Sequence, residues 1–477
     1  MTLPVSGWLV LGAYLLGITA FGAYLGRKRS SVEDYFLAGR SVPWWAIAAC
    51  IVATETSTLT FTGVPGFAYT GNWTFLQLVM GYIIGRAVAA LVLVPAYFDG
   101  RLFTSYELLS KRFGPSVRSV AAAVFLLSRT VADGVRLHAA ALVISVAAGA
   151  PEYLVILILA FAMILYTEEG GVKATIWTDV VQLAVYLAGA VLILTTVARA
   201  LPEGPAAALA AAGAQGKLKV FDFSWNLART YTFWAGIIGG MFLTLATHGT
   251  DHYLVQRLLV ARGPKDAGRG LMISGLVVFA QFSLFLLIGT LLWSFYEGRT
   301  FARGDEVLPT FVGEQLSGVG VGFILAAVVA TALSPSLNSM AASTIRDFYL
   351  PYINPRASEA LQLRVGRRVT VFWGIAQVGV ALAAQRISSS LETGLTALSY
   401  ASGPTVGAFL LGVLTRRATA LGTLVGMLVG LVAPYLVSQW VPLAFTWTVA
   451  VGASVTCTLG YGFSILENAG TERRENP

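Results

Sequence analysis

Long apolar runs, most of about 20 residues, alternate along this chain with short polar connections, a pattern that predicts helices rather than strands. The runs fall near 5–25, 43–70, 75–98, 119–149, 151–168, 173–199, 231–256, 270–296, 309–347, 369–387, 393–415, 419–438 and 444–466. Each is long enough to cross the hydrocarbon core of a bilayer. The expectation is an all-α integral membrane protein with 13 transmembrane helices, residues 1–477 forming one transmembrane domain. No basic residue precedes the first run in MTLPVSGW, so it reads as a retained spanning helix and not as a removable signal peptide.

Composition agrees. Of the 477 residues, 56% are hydrophobic and 12% charged, against about 25% charged in soluble chains. The 50 glycines suit close helix packing in lipid. Cys50 and Cys457 both fall inside apolar runs, which supports neither a disulfide framework nor a metal cluster. The net charge of +8 does not point to nucleic acid, because no segment is long enough for a folded basic domain. Its distribution is the informative quantity. When connections are assigned alternately to two sides, most basic residues, including Arg27, Lys28, Arg112, Arg262, Arg368 and Arg417, gather on one. The positive-inside rule makes that side cytoplasmic. The expectation is a multi-pass protein of the cell inner (plasma) membrane, N-terminus outside and C-terminus cytoplasmic.

The connection from Ala200 to Arg229 is the longest on the outer side and has room for a short surface helix. After the first helix, five precede it, five follow it and two remain, which is the count of an inverted-repeat transporter. Two spans are poorly suited to lipid. The second, ATETSTLTFTGVPGFAYTGNW, carries a run of hydroxyls and is expected to break at Gly63, Pro65 and Gly66. The ninth holds ATALSPSLNSMAAS, with Thr331, Ser334, Pro335, Ser336, Asn338 and Ser339. Broken helices in a membrane survive where their freed carbonyls are buried or bind ions and solutes. Clustered carbonyl and hydroxyl oxygens suit a hard alkali cation.

Ionisable residues within spans are costly and functional by default. Asp179 in WTDVVQ reads as a cation ligand or as a structural hydrogen-bonding group, Asp251 in GTDHYLVQR as a cap, and Glu55 as either. Arg129, Asp133 and Arg136 share one face of the fourth span. Two readings stand for that face: an arginine that attracts a carboxylate of the solute, or an internal ion-pair ladder that includes Arg86. His138, His248 and His252 match no metal motif, and no catalytic constellation is evident, so the chain does not read as an enzyme.

At TEEGGVKATIWTDVVQ, GTDHYLVQRLL and SLNSMAASTIRDFY the chain resembles the sodium:solute symporter family, carriers of sugars, proline, pantothenate, iodide and sialic acid. FLAGRSVPWW before the second span and SYELLSKRFG before the fourth fall in the same order, and the resemblance covers nearly the whole chain. It implies a leucine-transporter-like fold of two inverted five-helix repeats, 43–199 and 231–415. One extra helix (5–25) precedes them and two (within 419–466) follow. It also implies alternating access, with sodium and solute bound midway across the bilayer and released to the cytoplasm.

Carried over residue by residue, the common sodium site becomes Ala53, Thr56, Val328, Thr331 and Ala332, with Ala332 standing where a second hydroxyl is usual. A shift in register would bring Ser334 into that role. The second sodium site of some members maps to Asp179, Thr331, Ser334 and Pro335, again short of one hydroxyl. The solute positions map to Ser57, Thr60, Phe75, Gln77 and Arg129. Sialic acid carriers hold a carboxylate with an arginine at nearly the position of Arg129, which suggests a small polar solute, acidic or sugar-like.

The expected function is therefore sodium-coupled import of such a solute. Its partners are sodium, the solute and the lipid bilayer, with no nucleic acid, and a monomer suffices. A proton-coupled symporter of the same fold is the nearest alternative, since Asp179, Asp133 and Glu55 could exchange protons. A membrane sensor without transport is the alternative from another class. The short tail after the last span leaves little room for a signalling domain.

Overall fold

Inside a bilayer a chain must satisfy its own backbone amides, and helices do this within each segment. Accordingly, 82% of the protein is helical, with no strand among the described residues. The computed structural model describes residues 3–25, 31–100, 102–332, 336–385 and 390–475. Helix α1 (Val5–Leu25) is followed by a short α2 (Val32–Leu37). Then α3 (Trp44–Glu55) and α4 (Thr58–Thr70) form one broken rod bent by 65°. Helix α5 (Leu76–Phe98) contains a π-helical turn at Ala89–Leu93. The short α6 (Tyr106–Phe113) leads into α7 (Pro115–Ala148).

Helix α8 (Glu152–Ala200) bends at Gly171, where φ of 47° with ψ of −162° is a conformation suited to glycine. The expected spans 151–168 and 173–199 are its two arms. Helix α9 (Gly204–Ala214) is the surface helix for which the 200–229 connection had room. Next come α10 (residues 235–250, with π-helical turns at Ala235–Gly239 and Leu245–Thr250) and α11 (His252–Leu259). The second half continues through α12 (Pro264–Phe295), α13 (Val307–Gln315) and α14 (Gly318–Ala332). Helix α15 (Leu337–Ser343) runs on π-helically over Thr344–Ile353. The chain ends with α16 (Glu359–Ala384), α17 (Ser390–Leu414), α18 (Ala420–Ser438) and α19 (Phe445–Glu475).

Helix overlies each of the thirteen expected runs. Among the described residues, six helices are individually long and apolar enough to cross a membrane, and the bent α3–α4 pair would make a seventh. Several others are cut short by breaks. Helix α7 is interrupted chemically, because Arg129, Asp133 and Arg136 fall within a few turns of one another.

Two expectations about the breaks are corrected. In the second span the chain breaks at Thr56–Ser57, both extended, while Gly63, Pro65 and Gly66 all lie inside α4. Gly66 and the Pro65 carbonyl serve packing instead. A methyl on Gly289 of α12 would overlap the Pro65 carbonyl, and one on Gly66 would overlap the Gly304 carbonyl. In the second half an interruption that the hydroxyl pattern did not flag occurs at Asp251, whose ψ of 120° separates α10 from α11. Between α14 and α15, Ser334 and Pro335 lie outside the described residues.

Close helix approach recurs where α5 crosses α10: methyls on Gly81 and Gly236 would meet the backbones of Gly236 and Gln77. Helix α1 lies along α8 and α14, and α17, α18 and α19 pack together at the other end of the chain. Placing a methyl at Gly289 is expected to cost about 1–3 kcal/mol through overpacking. Gly289→Ala should therefore lower the Tm of the detergent-purified protein, whereas Gly17→Ala, which meets nothing within 4 Å, should leave it unchanged.

Candidate functional site

The apolar stretch WWAIAACIVATE winds α3 as far as Glu55, and a reciprocal cap then starts α4. The Thr60 amide donates to Ser57 Oγ at 3.2 Å, and the Ser57 amide donates to Thr60 Oγ1 at 3.4 Å. In an unbroken helix those amides would serve the carbonyls four residues back, those of Thr56 and Ala53. The cap thus diverts both donors from the Ala53 and Thr56 carbonyls at a buried helix end.

The break is fastened on its far side. Thr56 Oγ1 donates to the Val52 carbonyl (2.9 Å), accepts from Gln281 Nε2 (2.8 Å) and lies 3.0 Å from the Tyr186 hydroxyl. Tyr186 in turn donates to Gln281 Oε1 at 3.0 Å. Helices α3, α8 and α12 are thereby held to one another by three buried polar groups. Ala53, Phe61 and Val328 belong to one apolar cluster, which sets α14 beside the break. Thr331 and Ala332 end α14, although their side chains are not among those described.

The ionised residues sort into pairs. Arg86 is fully buried, ion-pairs with Glu55 beside the break and lies 3.1 Å from His248 Nε2. It does not join the charges of α7, so the expected ladder is corrected at that member. Arg129 Nε and Nη2 both reach Asp251 Oδ2, at 3.0 and 2.5 Å, while Nη1 is 3.8 Å from Asp133 Oδ1. Asp133 Oδ2 accepts from Ser336 Oγ at 2.5 Å and from Gln377 Nε2 at 3.4 Å. Arg136 donates to the Thr54 carbonyl at 3.4 Å. Asp251 also caps α11 by accepting the Tyr253 amide at 2.9 Å, a double role that sequence reasoning caught only in part.

Asp179 is fully buried and accepts from Cys50 Sγ (2.9 Å) and Thr54 Oγ1 (3.3 Å), with Arg257 Nη2 at 3.7 Å. Cys50, read only as an apolar-run residue, is one of its partners. Arg257 also stacks on the Tyr253 ring at 4.2 Å. Asn338 accepts from Gln256 at 2.9 Å, and Ser339 donates to the Ser336 carbonyl at 2.7 Å. Those two residues hold α15 in place. Among the described residues no group of three or more His, Cys, Asp and Glu side chains could hold a metal ion.

The five expected solute residues do not share one lining. Gln77, fully buried, donates to the Thr74 and Tyr231 carbonyls (3.1 and 3.2 Å) and accepts the Asp222 amide at 3.0 Å. It ties the 200–229 connection to α5. Phe75 stacks on Phe282 with centroids 5.1 Å apart and touches Phe67 and Tyr231. Ser57 and Thr60 form the cap. Arg129 lines a cavity of about 220 Å³ with Asp251, Ser128, Thr250, Ser402 and Thr405. A second cavity of about 680 Å³ extends from Leu3, Arg303 and Glu306 to Phe61, Thr62 and Val328, beside the break.

Buried charge pairs, a broken apolar rod and cavities inside an all-helical bundle define a multi-pass membrane transporter. The chain belongs to the sodium:solute symporter family, whose family model matches residues 35–430. It is similar to the sodium/iodide cotransporter of Homo sapiens, with 29% identity over 92% of this chain and 69% of that protein. It is also similar to the sodium/sialic acid symporter NanT of Aliivibrio fischeri, with 28% identity over 95% of this chain and 92% of that protein. Among solved structures, the substrate-bound outward-open state of a Na+-coupled sialic acid symporter superposes with a TM-score of 0.89. That match has 25% identity and covers 97% of this chain and 98% of the other. The closed conformation of Mhp1, a nucleobase-cation-symport-1 family transporter, shares the fold at a TM-score of 0.60 and 16% identity, covering 91% and 94% of the two chains.

The Thr56–Tyr186–Gln281 arrangement gives a direct test of the break. Gln281→Leu removes a donor and an acceptor at once and should cost about 1–3 kcal/mol, because the two hydroxyls stay buried without it. Tyr186→Phe should cost less, since Gln281 Nε2 keeps Thr56. Thermal unfolding of the two purified variants checks the order.

Proposed function

We propose that the protein is a sodium-coupled symporter that imports a small polar solute by alternating access. Sodium sits among the Ala53, Thr56 and Val328 carbonyls and the Thr331 hydroxyl, with Ser334 as a further oxygen. The observation that carries this reading is the Ser57–Thr60 cap, which diverts the amides that would occupy two of those carbonyls. A hard monovalent cation suits such oxygens. Bound there, it ties a helix of the first repeat (43–199) to one of the second (231–415). Ion occupancy then favours the conformation in which the two are together.

In this reading the thirteen helices comprise the two inverted repeats, the extra helix at 5–25 and the two at 419–466. The N-terminus lies outside the plasma membrane and the C-terminus in the cytoplasm. Ser57, Thr60 and Arg129 face the solute path, while Phe75 and Gln77 shape its outer cover. Asp179 would serve a second sodium only in competition with the Arg257 guanidinium 3.7 Å away. Proton coupling has less support: Glu55 and Asp179 each lie beside an arginine, and protonating either would leave a permanent cation short of its partner.

Proteoliposomes tested with a panel of sugars, sugar acids and amino acids should accumulate a solute only under an inward sodium gradient. Thr331→Ala, one oxygen fewer, should raise the half-saturating sodium concentration about tenfold. Equal uptake in choline, or uptake driven by a proton gradient alone, would overturn the proposal.

A further inference from the structure

The cavity of about 220 Å³ has an unusual charge arrangement. Its two charged walls are Arg129 of α7 and Asp251 from the turn before α11, and their side chains are only 13% and 18% exposed. The pair is complete without any ligand. Two of the Arg129 nitrogens address one Asp251 oxygen, and the other Asp251 oxygen takes the Tyr253 amide. Asp133 stands 3.8 Å behind Arg129 and adds a second negative charge to its surroundings.

Four hydroxyls of the remaining polar wall give their protons to their own helices. Ser128 gives its proton to the Phe125 carbonyl (3.0 Å), Thr247 to Leu243 (3.0 Å) and Thr250 to Ala246 (2.9 Å). Thr405 likewise gives its proton to Ala401 (3.4 Å). Hydroxyls that donate to their own helix present lone pairs elsewhere. Ser128, Thr250 and Thr405 can therefore each accept a hydrogen bond from a solute.

A simple anion fits this cavity badly. To take the Nε–Nη2 edge of Arg129 it must displace Asp251, which is then left buried without its cation beside a like charge, and that is costly. Of the described residues that line the cavity, none is Ala53, Thr56 or Val328, so sodium at the break offers no counterion in contact with it. A zwitterion avoids the cost. Its carboxylate can take Arg129 while its ammonium takes Asp251 and the hydroxyl oxygens, giving four alternating charges and no change in net charge. The volume is somewhat larger than the ~150 Å³ apolar cavity that holds benzene, which suits a solute the size of a single amino acid.

We infer that Asp251 is the positioning residue that sets the charge class of the solute: by holding Arg129 it excludes simple carboxylates and selects a small amino-acid-like zwitterion. This rests on the symporter reading of the same site. The test uses amino acids and hydroxy acids of matched skeleton in proteoliposomes: L-alanine with L-lactate, L-leucine with 2-hydroxyisocaproate, and L-phenylalanine with phenyllactate. In at least one pair the wild type should prefer the amino acid by about tenfold or more, a difference worth about 1.4 kcal/mol.

Asp251→Glu should keep that preference. Asp251→Asn, which retains a side chain able to cap α11, should reverse it toward the hydroxy acid. If that variant does not fold, the charge-neutral Arg129→Gln/Asp251→Asn double variant should lose the preference altogether. Hydroxy acids accepted as well as amino acids by the wild type, no uptake of any amino acid in the panel, or a wild-type preference retained in either neutralised variant would overturn the assignment. Replacing sodium with choline separates the two claims. Amino-acid uptake indifferent to sodium defeats the symporter reading alone, and sodium-dependent uptake of hydroxy acids equal to that of the amino acids defeats the selectivity assignment alone.

Discussion

The reciprocal bonds between Ser57 and Thr60 are the constraint on which the rest of the site depends. A helix in a membrane keeps its carbonyls occupied unless something gives the amides another partner. Here the N-cap of α4 and a side chain in its first turn do so. The cost of a broken helix is offset by the cap itself and by the Thr56–Tyr186–Gln281 contacts that grip the break from outside. The Ala53 and Thr56 carbonyls lose those amides beside α14, and that arrangement, rather than any ionised group, is the basis for reading a cation there.

The second organising feature is that charge is buried in pairs. Arg86 with Glu55, Arg129 with Asp251 and Arg257 beside Asp179 each join separate helices. In low dielectric such pairs are weak sources of net stability but strict about which partners face each other. They therefore act as registration points between the helices they join. The Arg129–Asp251 pair differs from the other two because it lines a cavity and can be split by a solute that supplies both charges.

Most of the fold was legible because the hydrocarbon core enforces a length and a polarity on each element. The bend at Gly171 and the helix Gly204–Ala214 fall where the polar punctuation put them. The position of the break was not legible. Gly63, Pro65 and Gly66 look like the stronger breakers, yet all three lie inside α4, where Gly66 packs on Gly304 and Pro65 on Gly289 of α12, while two ordinary hydroxyl residues end the helix. Arg129 was found by its placement in a span, but its partner Asp251 lies 122 residues away, and no spacing rule links them. Gln77 is a solute position only through the family resemblance, and its hydrogen bonds to Tyr231 and Asp222 are not readable from local sequence. Such pairings are properties of the packed bundle, not of local sequence.

The account is tested most directly by equilibrium binding of radiolabelled sodium to the purified protein, comparing the wild type with Ser57→Ala/Thr60→Val. With the cap removed, the amides of residues 57 and 60 are free to return to the Ala53 and Thr56 carbonyls, and sodium affinity should fall sharply while the helical content stays the same. Unchanged sodium affinity in a folded double variant would contradict the claim that the capped break makes the ion site.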